Sequence, residues 1–90
     1  MGFMAKARSS MMPLSMAMPG ETVQLVEIAG GRKLRKRLAD LGLGIGMTAR
    51  VVQGGASGAM ILAVKEDSRL ALGRGITHKI MVVLESREIV

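Results

Sequence analysis

The stretch Gly30-Gly31-Arg32-Lys33-Leu34-Arg35-Lys36-Arg37-Leu38-Ala39-Asp40-Leu41-Gly42-Leu43 decides how the rest of the chain must be arranged. Leu34, Leu38 and Leu41 recur at spacings of four and three, which places them on one stripe of an α-helix. The other face carries Arg32, Lys33, Arg35, Lys36 and Arg37. Gly42 follows the last leucine of the stripe, where a helix that ends in a left-handed residue needs glycine. The segments on both sides read as short strands. The stretch is therefore expected to be the one long helix, laid by its leucines onto a small sheet.

Working outward, Pro19-Gly20 marks a turn, because proline presets the first central position and glycine supplies the positive φ of the second. Glu21 to Ile28 is rich in β-branched residues, with Val23 and Leu25 alternating against Gln24, and reads as the first strand. After the helix, Leu43-Gly44-Ile45-Gly46 is a tight turn, and Met47 to Gln53 is a second strand with Met47, Ala49 and Val51 on one side. Gly54-Gly55-Ala56-Ser57-Gly58 is a hairpin loop. No lysine follows it and no helix opens after it, so it is not a phosphate cradle. Ala59 to Lys65 forms strand three, Arg69 to Leu72 a short strand four, and Lys79 to Leu84 strand five. Between the last two, Gly73 to His78 has room for one turn of 3₁₀ helix. Five short strands with tight turns and one helix between the first two predict a mainly β fold, a small partly open barrel in which curling disposes of sheet edges.

Ninety residues make one domain with a thin stability margin. We expect a mobile leader over residues 1–11, a folded domain over 12–84 and a tail over 85–90, frayed or at an edge. The chain has no cysteine, so neither a disulfide nor a thiolate metal site is open to it. The net charge of +6 is unevenly placed. The leader holds Lys6 and Arg8 with no acid, the helix holds five bases, and residues 47–90 are nearly balanced. Such a patch suits an acidic protein surface, a nucleic acid or an anionic membrane, against the plain alternative of a solvated helix face. No apolar run approaches the ~20 residues that span a bilayer, and residues 1–18 do not make a signal peptide, since Pro13 and the serines break the apolar run.

The chemistry-bearing residues are few. His78 is the one histidine, and the acids are scattered, so no orienting partner or carboxylate pair supports general acid–base catalysis. The expectation is no enzyme and no resident cofactor. As a metal ligand His78 is a weak candidate, because a site wants at least three protein ligands and only Glu66 and Asp67 offer themselves for a transient divalent metal. Six of the nine methionines fall within the first eighteen residues. Thioethers bind monovalent copper, but the spacing is irregular and the leader has no histidine or cysteine to assist. Arg32, Lys33, Arg35, Lys36 and Arg37 are the candidates for partner binding, with Arg74 in its glycine turn as the second place of approach.

Pro13-Leu14, the Pro19-Gly20-Glu21 turn, Gly30-Gly31, Arg37-Leu38-Ala39-Asp40-Leu41-Gly42-Leu43, and the closing Ala71-Leu72-Gly73-Arg74-Gly75-Ile76-Thr77-His78-Lys79-Ile80-Met81-Val82 follow one order. That ordered set resembles the FeoA family, small cytosolic accessory proteins of bacterial ferrous-iron uptake, over about residues 12–84. The resemblance implies an SH3-like barrel, similar to the C-terminal domain of iron-dependent repressors of the diphtheria-toxin-repressor type. It also implies a non-catalytic, cytoplasmic role: binding the cytoplasmic side of the membrane transporter FeoB and supporting or regulating its GTP-linked iron transport. The membrane would then be reached only through that partner, and the protein would be a monomer or weak homo-oligomer. One departure is visible. The turn after the helix often carries proline before its last glycine in this family, and here that position is Ile45. Two other classes compete. A small basic barrel can bind nucleic acid, although bases are usually gripped by stacking on aromatic rings and Phe3 is the one aromatic residue. A free-standing relative of the repressor domain could act as an adaptor for a proline-rich or repressor segment.

Overall fold

The structure is a computed structural model that describes residues 11–54, 58–65 and 68–87. The expected mobile leader, the centre of the 54–58 loop, and Glu66 and Asp67 fall wholly or largely outside these residues.

Six antiparallel strands form one sheet in the order β1-β6-β2-β3-β4-β5. They are β1 (Met12–Pro13), β2 (Glu21–Ile28), β3 (Thr48–Gln53), β4 (Met60–Lys65), β5 (Ser68–Leu72) and β6 (Ile80–Arg87). A 3₁₀ turn (Leu14–Met16) follows β1, α1 (Gly31–Asp40) joins β2 to β3, and α2 (Arg74–Thr77) joins β5 to β6. The mainly β barrel with one long helix after its first full strand is the architecture expected. The sixth strand is the two-residue β1, whose Met12 and Pro13 pair with Val82 and Met81. Proline is tolerated there because β1 is an edge. The segment before Lys79 is a four-residue α-helix rather than a 3₁₀ turn: the Thr77 and His78 N–H groups reach back four residues to the Gly73 and Arg74 carbonyls. β6 also runs past Leu84, because Ser86 and Arg87 find partners in Thr22 and Glu21.

Extra residues in the ladders bend the strands. The β2–β6 register shifts between Leu25 and Glu27, so Val26 has no opposite partner. Strict alternation would turn Glu27 inward after Val23 and Leu25. The extra residue reverses the phase, leaving Glu27 exposed and burying Ile28. Similar shifts between Val51 and Gln53 and between Ala63 and Lys65 curl the other end of the sheet. The concave face encloses one core that includes Leu14, Val23, Leu25, Leu38, Leu43, Val51, Met60, Leu62, Ile80 and Val82.

The helix stripe is corrected at its end. Leu38 is fully buried and Leu34 half-buried, but Leu41 is 48% exposed. The helix stops at Asp40, and Leu41 caps it. Gly42, at φ 97°, then turns the chain back, its N–H donating to the Ala39 carbonyl while the Leu43 N–H donates to that of Leu38. These are the two bonds of a Schellman motif, and its usual apolar contact pairs the positions of Leu38 and Leu43. Leu43 therefore takes the buried place that unbroken periodicity assigns to Leu41.

The following turn is closed by the Met47 N–H donating to the Gly44 carbonyl at 3.1 Å, with Gly46 at φ 93° in the third position. That is type II geometry, with Ile45 in the position proline suits best. The Ile45 side chain is 56% exposed, so removing it forfeits little burial. Ile45→Pro is expected to stabilise the domain by about 0.4–1 kcal/mol by restricting the unfolded chain. Chemical denaturation checks this: a higher midpoint with an unchanged slope is the expected result.

Candidate functional site: a cationic helix and a methionine-lined cleft

Two surfaces stand out, and they are built by different parts of the chain. The first is α1. Arg32, Lys33, Arg35, Lys36 and Arg37 are all exposed, and among the described residues none of them forms an ion pair or side-chain hydrogen bond. The N-terminal part of this helix is arranged against its own electrostatics, while Arg37 in the last turn is favourably placed. The helix has no acid in its first turn and no side-chain cap, since Gly30 occupies the N-cap. Cations near a helix N-terminus oppose the macrodipole. Arg32 with Lys36, and Lys33 with Arg37, are like charges four residues apart, each costing a few tenths of a kcal/mol. The one acid, Asp40, lies at the C-terminal end, where the dipole disfavours it. What holds the helix is the packing of Leu34 and Leu38 and the glycine cap, not its surface.

The second surface is a cleft of about 530 Å³ lined by the Ser15–Pro19 segment, Gly54, Arg74, Thr77 and His78. Its two main walls are the 3₁₀ turn and α2, brought together because β1 and β6 are neighbours in the sheet. Each wall is pinned from behind. The Ala17 N–H donates to the Leu14 carbonyl at 2.9 Å, and Leu14 and Ala17 are buried. The buried Glu21 carboxylate accepts the Met18 N–H at 2.8 Å, across a Pro19-Gly20 turn closed by the Glu21 N–H on the Met18 carbonyl. On the other wall the Thr77 hydroxyl donates to the Arg74 carbonyl at 3.2 Å. One side-chain hydrogen bond joins the walls, between the Ser15 hydroxyl and His78 Nδ1 at 3.0 Å.

Of the residues singled out in the sequence, α1 gathers the five helix cations, whereas Arg74 belongs to the cleft together with His78. The two groups do not form one patch around the cleft, whose lining includes no residue of α1. Among the described residues, no three histidine or acidic side chains cluster as metal ligands, and Glu66 and Asp67 lie outside those residues. The methionine-rich start of the chain, set aside in the sequence for its irregular spacing and lack of a nearby histidine, places Met16 and Met18 on the same cleft as His78. Leu14 and Ala17 are buried while Met16 and Met18 on either side of Ala17 stand 65% and 62% exposed.

A model of the FeoA domain family matches residues 12–84. This chain belongs to the FeoA family. An Fe(2+) transport protein A of Methanocaldococcus jannaschii is 38% identical over 72 residues, spanning 80% of this chain and 85% of that protein. The crystal structure of an iron uptake regulatory protein (FeoA) is similar at 33% identity and TM-score 0.76, over 83% of this chain and 99% of the other. The NMR structure of a FeoA-like protein from Clostridium acetobutylicum shares the fold at 18% identity and TM-score 0.71, over 89% and 93% of the two chains. The same fold covers 36% of ScaR, solved with bound Zn2+, at 23% identity and TM-score 0.69, over 80% of this chain. The SH3-like FeoA barrel read from the residue order is thus the fold found, and the chain is a FeoA-type protein of ferrous iron transport. Among the described residues no helix is long and apolar enough to cross a membrane.

Proposed function

We propose that this FeoA domain is a non-catalytic cytoplasmic accessory that docks on the cytoplasmic region of a FeoB-type ferrous iron transporter and supports or regulates its GTP-linked transport. The observation that carries the proposal is the excess charge of α1, five cations against the single acid Asp40. Five exposed cations sit on a helix whose own stability each of the first two turns' repulsions reduces. Local rules broken at a cost to stability are expected where a surface serves a partner. An acidic face on the transporter would relieve the repulsion and steer the encounter. Arg74, on the rim of the cleft, is the second point of approach. Such an accessory needs no resident cofactor, and any divalent metal near His78 would be transient cargo. The folded part offers no aromatic ring on which bases could stack, which favours a protein partner over a single-stranded nucleic acid.

Titration of the protein into the purified cytoplasmic region of the transporter from the same source, with and without guanine nucleotide, tests the proposal. Saturable binding is expected, weakened about tenfold or more by Arg35→Glu with Lys36→Glu, equivalent to about 1.4 kcal/mol. Both side chains are exposed, so the variant keeps its fold. Unchanged affinity removes α1 from the interface. No binding up to roughly 100 μM, an affinity weaker than about −5.5 kcal/mol, removes this partner altogether.

A further inference from the structure

Methionine is costly to leave in water, since burying such a side chain is worth about 1.5–3 kcal/mol. This small domain nevertheless exposes two in the lining of one cleft, Met16 and Met18, which flank the buried Ala17 in the chain. The same cleft contains His78, the one histidine of the chain. We propose that the cleft binds a soft monovalent metal ion, Cu(I), through the thioether sulfurs of Met16 and Met18 and through Nε2 of His78.

The donor chemistry selects the ion. Two thioethers and an imidazole are neutral and soft to borderline, the set that prefers Cu(I) to hard oxygen-seeking cations. Among the described residues that line the cleft there is no carboxylate, and the one charged residue is Arg74. A divalent ion would meet that positive charge with no anionic ligand to offset it, whereas a monovalent ion meets half the repulsion. Fe(II) and Zn(II) are therefore disfavoured on charge as well as on softness. Each methionine sulfur sits on a flexible unbranched chain, so both can swing toward a common centre.

The surroundings prepare the ligands. When His78 carries its hydrogen on Nδ1, that N–H donates to the Ser15 hydroxyl oxygen 3.0 Å away, which leaves the Nε2 lone pair free. Metal-ligating histidines are generally oriented by such a bond from their other nitrogen. Glu21 plays the corresponding part for Met18, holding its backbone N–H at 2.8 Å. The 3₁₀ turn fixes Met16 beside Ser15. The sequence alone shows thioethers without a histidine nearby; the fold closes the 63-residue gap between Ser15 and His78.

The test uses the full chain, Ag(I) as a redox-stable probe, and Cu(I) kept reduced and competed against a chromophoric chelator. One equivalent of either ion is expected to shift the Met16 and Met18 methyl resonances and the His78 ring resonances together. Met16→Leu, Met18→Leu and His78→Gln should each weaken binding at least about tenfold. Ser15→Ala should weaken it by roughly 10–100-fold, the usual effect of losing an orienting partner. The methionines are mostly solvent-exposed, so their leucine variants keep the fold, and unchanged thermal unfolding confirms it. The proposal is overturned if the Met16→Leu/Met18→Leu double variant binds as tightly as the parent, which would place the ion on the other methionines. It is equally overturned if His78 does not respond, or if Fe(II) or Zn(II) displaces the monovalent ion at equal concentration.

Discussion

Leu38→Ala is expected to cost about 3–4 kcal/mol and lower the unfolding temperature by at least ~12 °C. Leu38 is fully buried and carries the docking of α1 on the sheet. Its carbonyl also accepts the Leu43 N–H at 2.8 Å, so one residue fixes both the helix face and the helix end. Removing three carbons leaves a cavity between the helix and strands that curl around a single core, and such cavities add to the lost transfer energy. A domain of this size has on the order of 5–10 kcal/mol in total, so the variant should be partly unfolded near physiological temperature. Leu41→Ala, at a position 48% exposed, is the matched control and should stay within about 0.5 kcal/mol of the parent. Thermal unfolding of the pair separates two arrangements. Equal losses would mean that the stripe continues through Leu41, and that the glycine turn does not return Leu43 to the core.

That contrast also shows where sequence periodicity stops being informative. Leu34 and Leu38 were legible because a helix repeats. Leu41 was misplaced because the helix ends one residue before it, and a left-handed glycine restarts the spatial order with Leu43. The inward turn of Ile28 had the same kind of cause: the extra residue Val26 shifts the phase of β2, and alternation cannot register a bulge. β1 was too short for any period, and its two residues are a strand only because β6 lies beside them. The exposure of the helix cations was legible, since side chains as long as lysine and arginine on a helix face stay wet whatever the fold does, whereas the burial of Glu21 was not. The cleft was not. Its hydrogen bond joins Ser15 to His78, and nothing local to either residue announces the other.

Lys33→Glu is expected to move stability and partner binding in opposite directions. The residue lies in the first turn of α1, where the N-terminal partial positive charge repels a lysine and attracts a glutamate. The substitution also converts the Lys33–Arg37 repulsion into an attraction with the acid N-terminal to the base, the better of the two orders. Together these should stabilise the domain by about 1 kcal/mol at low salt, raising the unfolding temperature by about 4–8 °C. The gain should shrink as salt approaches the molar range and the Debye length falls to about 3 Å. If α1 docks on an acidic face, the same charge reversal should weaken that complex about tenfold, because an attraction across the interface becomes a repulsion. A gain in stability with unchanged binding would make the five cations a solvated face. A loss of stability would show that the N-terminal end of α1 already has compensation for its charge. Opposite signs in one variant are what a surface maintained for a partner must give, because the folded state alone would be better served by an acid at that position.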